Sequence, residues 1–167
     1  MAALCIRLLA LIPLISKRKC QQRGMTLLEL MLAIAVLAVL ATISVASYKR
    51  YVDRVKVNSA IADIGQIQLL INKYRLDRDA LPTTLADAGL GGKLDPWGNP
   101  YEYLDFTGLK GNGQVRKDRN LVPINSDYDL YSKGPDGDSR PPLTAKASRD
   151  DIVRANDGAF IGKGEDY

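Results

Sequence analysis

Two apolar rhythms divide the chain. From Leu30 to Tyr48 the sequence LMLAIAVLAVLATISVASY runs 19 residues without a charge. At helical rise that is about 28 Å, enough to cross a bilayer. Beyond Tyr48 the pattern turns amphipathic: Ala60, Ile64, Ile67, Ile71 and Tyr74 recur at spacings of four and three. Arg54, Lys56, Asp63, Gln66, Lys73 and Asp77 fall elsewhere around the same helix. No proline interrupts Met25 to Leu81, so the pattern predicts one helix from near Thr26 to about Arg78. Its first half reads as a membrane segment and its second half as the support of a globular head. A membrane helix followed by a separate surface helix is the alternative.

After the helix the signals change to turns and strands. Asp95-Pro96-Trp97-Gly98-Asn99-Pro100 is turn chemistry: two prolines fix φ, while glycine and asparagine tolerate the left-handed region. It leads into Tyr101, Tyr103 and Leu104, which read as a strand. Asn112-Gly113 signals a hairpin, and Tyr128 to Tyr131 reads as a further strand. Phe160 and Ile161 are expected to cover the sheet, with the last few residues mobile. The fold class is therefore α+β, a long N-terminal helix on a small antiparallel sheet.

One residue breaks the first rhythm. Glu29 is the only charge in the apolar run that follows Gly24. An ionised side chain in hydrocarbon costs roughly 2.5 to 3.5 kcal/mol on insertion scales and by default marks a functional site with a missing partner. The plainer reading is an anchor whose acid snorkels near one end.

Charge and cysteine usage then separate a leader from the rest. Of the 23 Lys and Arg, five (Arg7, Lys17, Arg18, Lys19, Arg23) lie in the first 24 residues, with none of the 19 Asp and Glu. The remainder carries one net negative charge, so the overall +4 says little about nucleic-acid affinity. Cys5 and Cys20 also lie in the leader, and the chain has no histidine. Ser-His and Cys-His catalysis and imidazole metal sites are excluded. A cut after Gly24 leaves a product without thiols, in which another staple such as a metal gains plausibility. Basic residues ahead of the apolar run should stay cytoplasmic and send the C-terminal domain outward. Ala2 to Ser16 is a further apolar stretch, either an over-extended start or an extra anchor.

The segment Gly24-Met25-Thr-Leu-Leu-Glu29 resembles the cleavage and methylation site of type IV pilins and of the pseudopilins of type II secretion. The resemblance implies that a membrane prepilin peptidase cuts after Gly24 and methylates the new amine of Met25, which stands where the family usually has phenylalanine. The cut would give Glu29 its partner, the terminal amine of a neighbouring subunit. Pairing would neutralise both charges in an apolar bundle and fix the axial register. The family often carries a proline where this chain has Ala46; Thr42, Ser44 and Ser47 are left to loosen that region.

YRLDRDALPTT (74–84) and DPWGNPYEY (95–103) resemble the major pseudopilin of type II secretion, the protein G family, more than adhesive pili. The stretch from Pro82 to Asp95 is short for that family. Gly108 to Ser126 is longer and carries Lys110, Arg116, Lys117 and Arg119. That cluster reads as a solvated hairpin in preference to a site for an acidic partner or DNA, since no aromatic platform interleaves it.

Asp136, Asp138, Asp150 and Asp151 lie in loops with glycine or proline neighbours. Oxygen donors without His or Cys suit Ca²⁺. The twelfth position from Asp136 is Ala147, so an EF-hand is excluded. The resemblance implies one calcium, with side chains from Asp136, Asp150 and Asp151 and backbone carbonyls from Lys133 and Asp138. The alternative is acidic turns on a solvated surface.

Together these observations lead to a non-catalytic filament subunit. Residues 1–24 form a cleaved leader, 25–48 the transmembrane and filament-core helix, and 49–167 a periplasmic head that includes the second half of the helix. Implied partners are further copies of the chain, the prepilin peptidase, minor pseudopilins and an inner-membrane assembly platform, with no nucleic acid. The filament would drive export of folded proteins. A type IV pilus subunit for adhesion, motility or DNA uptake is the alternative; a membrane-anchored enzyme is disfavoured because no paired carboxylates sit in an evident cleft motif.

Overall fold

A computed structural model describes residues 24–167; the leader calls on residues 1–23, including the basic block and both cysteines, lie outside the described residues. One helix, α1, runs from Leu27 to Arg78 without interruption over 52 residues. It starts where Thr26 accepts the Glu29 amide on Oγ1 at 3.2 Å, a side-chain cap on a free helix donor. Apolar side chains such as Leu28, Leu32, Leu37 and Ile43 are exposed along its first half. Thr42 and Ser44 return their hydroxyls to the carbonyls of Val39 and Leu40, at 2.7 and 2.8 Å, so neither leaves a polar group bare in the apolar segment.

Val45–Tyr167 is a compact unit by itself. Its sheet is an antiparallel meander of β1 (Glu102–Asp105), β2 (Tyr128–Ser132), β3 (Ile152–Ala155) and β4 (Phe160–Lys163), in that spatial order. Tyr103 pairs with Leu130, Tyr131 with Val153, and Val153 with Gly162. The fold is α+β, as the sequence pattern predicts.

The core lies between α1 and one sheet face. Ala60, Ile64, Ile67 and Ile71 are fully buried against Tyr101, Tyr128, Leu130 and Ile152. The other face carries a smaller cluster of Ile124, Leu143, Val153 and Ala155. Strands β2 and β3 are thus covered on both sides, which explains their near-continuous burial.

A buried arginine ties helix to sheet. Arg154 stacks 4.0 Å above the Tyr128 ring and donates to both carboxylate oxygens of Asp127, at 2.8 and 3.0 Å. Its Nε reaches Gln68 Oε1 on α1 at 3.0 Å. A guanidinium can stack and bond along its edge at once, which an ammonium cannot.

Three local expectations fail. Phe160 and Ile161 do not lie over the sheet but within it, as the start of β4, paired with Ala155 and Arg154. Asn112-Gly113 forms no hairpin, because no alternating apolar strand flanks it; the segment is bent and exposed. The tight reversal lies further on, where Asp118 bridges Leu121 around Arg119, whose φ is +45°. The C-terminus is tied down rather than loose. Gly164–Asp166 forms a 3₁₀ turn, Tyr167 packs 5.2 Å from Phe160, and its hydroxyl donates to Asn156 Oδ1 at 2.7 Å.

The two faces of α1 make a quantitative contrast. Ile67 is 0% exposed and Leu69 is 69% exposed. Ile67→Ala should destabilise the head by about 2–5 kcal/mol, and Leu69→Ala by less than about 0.5 kcal/mol. Urea unfolding of the full chain in detergent, followed by the fluorescence of Trp97, measures both.

Candidate functional site

Gly24 and Met25 precede the helix and are exposed. A Cβ at Gly24 would meet nothing within 4 Å, so the described residues give no steric reason for a glycine there. Glu29 sits in the first turn of α1, where free backbone N–H groups favour a negative charge. Its side chain is exposed and has no ion-pair partner among the described residues. The role of Thr26 escaped the sequence reading, although Thr-x-x-Glu is the capping-box signature.

The second candidate is the layer of loops beside β2 and β3. The Asp95–Pro100 turn braces it. Asp95 Oδ1 accepts the amides of Trp97 and Asn99, at 3.0 and 2.8 Å. Its Oδ2 accepts the Ser132 hydroxyl, and Asn99 Nδ2 donates to the Gly134 carbonyl at 3.0 Å. Gly134 has φ +66°, and a Cβ there would fall 2.5 Å from the Asp150 carbonyl oxygen. The two acidic loops therefore touch backbone to backbone, which only glycine allows.

Within this layer the five expected calcium residues behave differently. Burial pushes the Asp150 carboxyl above its ordinary value, and the nearby charge of Asp136 adds to the rise. Asp136 Oδ1 accepts the Asp138 amide at 2.9 Å, and Asp138 Oδ1 accepts the Ser139 amide at 2.9 Å. The Lys133 ammonium turns away to Glu102, 2.5 Å distant. Asp151 is completely buried, and its Oδ2 accepts both the Arg116 guanidinium and the Ser139 hydroxyl. Burial raises its carboxyl, opposed by those two donors. No three acidic groups converge on one point among the described residues.

The donor chemistry fits a hard cation in part. Asp136 and Asp150 bring two neighbouring carboxylates, and the buried Oδ1 of Asp151 has no hydrogen-bond partner. The other oxygen of Asp151 belongs to Arg116, so chelation through both oxygens is blocked.

Arg116 itself overturns part of the hairpin reading. It is 2% exposed, and Val115 beside it is also buried. The Arg116 amide donates to Asp129 Oδ2 at 2.6 Å, and its carbonyl accepts the Ile124 amide at 3.1 Å. Lys117 pairs with the 141–143 loop. Only Lys110 and Arg119 of the basic cluster are exposed. The signal available in the sequence was Val115 ahead of Arg116 and Ile124 beyond it, apolar residues that a solvated hairpin does not need.

Comparison with known proteins identifies the start of the helix and a set of relatives. The family described as "Prokaryotic N-terminal methylation motif" matches residues 19–45. The chain is 33% identical to the type II secretion system core protein G of Pseudomonas aeruginosa, over 70% of this chain and 86% of that protein. It is 32% identical to the core protein G of Klebsiella pneumoniae, over 70% and 87%. A fimbrial protein of Neisseria meningitidis is 27% identical, over 81% of each chain. No solved structure matches. With a methylation motif at the helix start and 33% identity to a relative covered over 86% of its length, the chain belongs to the type II secretion system core protein G family.

Proposed function

We propose that the chain is a structural, non-catalytic subunit of a type II secretion pseudopilus, cut after Gly24 and methylated on the new amine of Met25. The observation that carries this reading is Glu29, an unpartnered carboxylate one turn into a capped helix whose apolar surface is exposed. An apolar surface of that length needs lipid or neighbouring protein around it. In the membrane, lipid covers it and the first turn keeps the acid near the interface. In a filament, other copies cover it, and each Glu29 meets the cationic amine of a neighbour's Met25. Such a pair removes the several kcal/mol that either buried charge alone would cost.

The free steric space at Gly24 suits recognition by a peptidase, since the fold makes no demand there. The basic leader holds the N-terminus in the cytoplasm and the head in the periplasm. Subunits drawn from the inner membrane by an assembly platform, beneath minor pseudopilins at the tip, extend the filament and push folded proteins outward. The pilus alternative is not favoured, because the secretion relatives match at higher identity than the fimbrial one.

Calcium belongs to this proposal in narrowed form. Asp136 and Asp150 supply carboxylates, Lys133 and Asp138 backbone carbonyls, and Asp151 at most its Oδ1. A bound divalent cation there neutralises two carboxylates that repel each other.

Mass spectrometry of the membrane-extracted protein should show a chain beginning at Met25 with one methyl group; an intact leader would overturn the reading. Gly24→Val should retain the leader. Glu29→Gln should be cut normally yet fail to enter filaments when co-expressed with the native chain. For the cation, millimolar calcium should raise the melting temperature of the detergent-solubilised chain, and Asp136→Asn should abolish the rise. A transition that neither calcium nor chelator moves removes the metal site.

A further inference from the structure

The segment from Gly108 to Ser126 puts a permanent cation into the loop layer. Arg116 reaches the layer through the clamped backbone of Arg116 and Lys117. One terminal nitrogen of its guanidinium donates to Asp151 Oδ2. The other donates to the Ser139 hydroxyl at 2.7 Å and to the Arg140 carbonyl at 2.6 Å. The Tyr131 ring closes one face, 4.1 Å from the guanidinium carbon. A carboxylate, a hydroxyl, a carbonyl and an aromatic face surround the cation, and only its Nε lacks a hydrogen-bond partner among the described residues.

The oxygen partners are themselves held. Ser139 also donates to Asp151 Oδ2 at 2.6 Å. Arg140 exchanges two bonds with the Ser148 hydroxyl, which accepts its amide and donates to its carbonyl, each at 2.7 Å. The guanidinium thus joins the loop after β2 to the loop before β3, the same two loops that carry the acidic residues.

We propose that Arg116 is the built-in counter-cation of this layer. It holds Asp151 and joins the two loops, so that the head keeps its fold when divalent metal is withdrawn. A metal ion leaves when its free concentration falls; a side chain does not. Arg116 also takes one oxygen of Asp151, which leaves a bound calcium the outer pair, Asp136 and Asp150, and at most the Asp151 Oδ1. The inference builds on the reading of those loops as a cation site, and the two can fail separately.

The test uses the full chain in detergent, with unfolding followed at Trp97 and by near-ultraviolet circular dichroism. In excess chelator the native chain should keep a cooperative transition. Arg116→Met, which strands the Asp151 carboxylate, should melt roughly 10 °C lower or more under the same conditions. Arg116→Lys keeps the charge but loses the fork, and should fall between the two. The double variant Arg116→Met with Asp151→Leu should recover most of the loss in chelator, since it leaves no buried charge unpaired. It also carries the test if Arg116→Met alone does not fold. The proposal is overturned if chelator alone abolishes the native transition. A single variant that melts within about 2 °C of native, or a double variant no better than the single one, has the same consequence. A calcium shift missing in every variant would remove the Asp136–Asp150 reading and leave the Arg116 result standing.

Discussion

An ionised carboxylate taken out of water costs several kcal/mol unless a donor or a cation meets it. That constraint organises the head of this chain. Asp95 is closed by two amides of its own turn and by Ser132. Asp129 is met by the Arg116 amide and the Asn125 side chain. Asp151 is met by the Arg116 guanidinium and Ser139. The contacts of Ser132 with Asp95, and of Arg116 with Asp129 and Asp151, join segments far apart in sequence, so the pairing of charges also fixes where the loops lie. Glu29 is the exception. Its partner is not found in the described chain, and the proposed function is the consequence of supplying that partner from another copy.

The specificity of the Asp95–Pro100 turn follows from the same rule. Its prolines and glycine shape the backbone, but its contribution to the site comes from Asp95 and Asn99. Those two side chains hold Ser132 and the Gly134 carbonyl. Gly134 in turn lets the β2 loop lie directly on Asp150. A motif that reads as a local turn is therefore the brace of a distant loop pair. Its occurrence with the acidic loops is one physical arrangement, not two separate features.

How much was legible depended on how local the cause was. Helix α1, from Leu27 to Arg78, was readable because a period of 3.6 is written into consecutive residues, and Ala60, Ile64, Ile67 and Ile71 are the buried face. Strands β1 and β2 were readable from their tyrosine and leucine content and from the turn before β1. The order of the C-terminus was not, because Tyr167 is held by Phe160 and Asn156, contacts that arise only once β3 and β4 pair. The Asn112-Gly113 dipeptide misled for the converse reason: a turn signal makes a hairpin only when strands exist on both sides to pair.

Arg116 shows why charge runs are the hardest feature to place from sequence. Lys110, Arg116, Lys117 and Arg119 look equivalent in a list, and a solvated surface accepts all four. The interior accepts one cation only where a carboxylate has been buried beside it and its terminal nitrogens find oxygen; the Arg116 Nε alone is left without a partner among the described residues. Asp151, Ser139 and the Arg140 carbonyl meet that condition at a single point, 23 to 35 residues further along the chain. Lysine at this position could supply the charge but not the fork that spans both loops or the flat face against Tyr131. The residue type and its burial are thus set together. The Gly108–Ser126 segment is best understood as the means of bringing that one guanidinium to the buried Asp151 carboxylate.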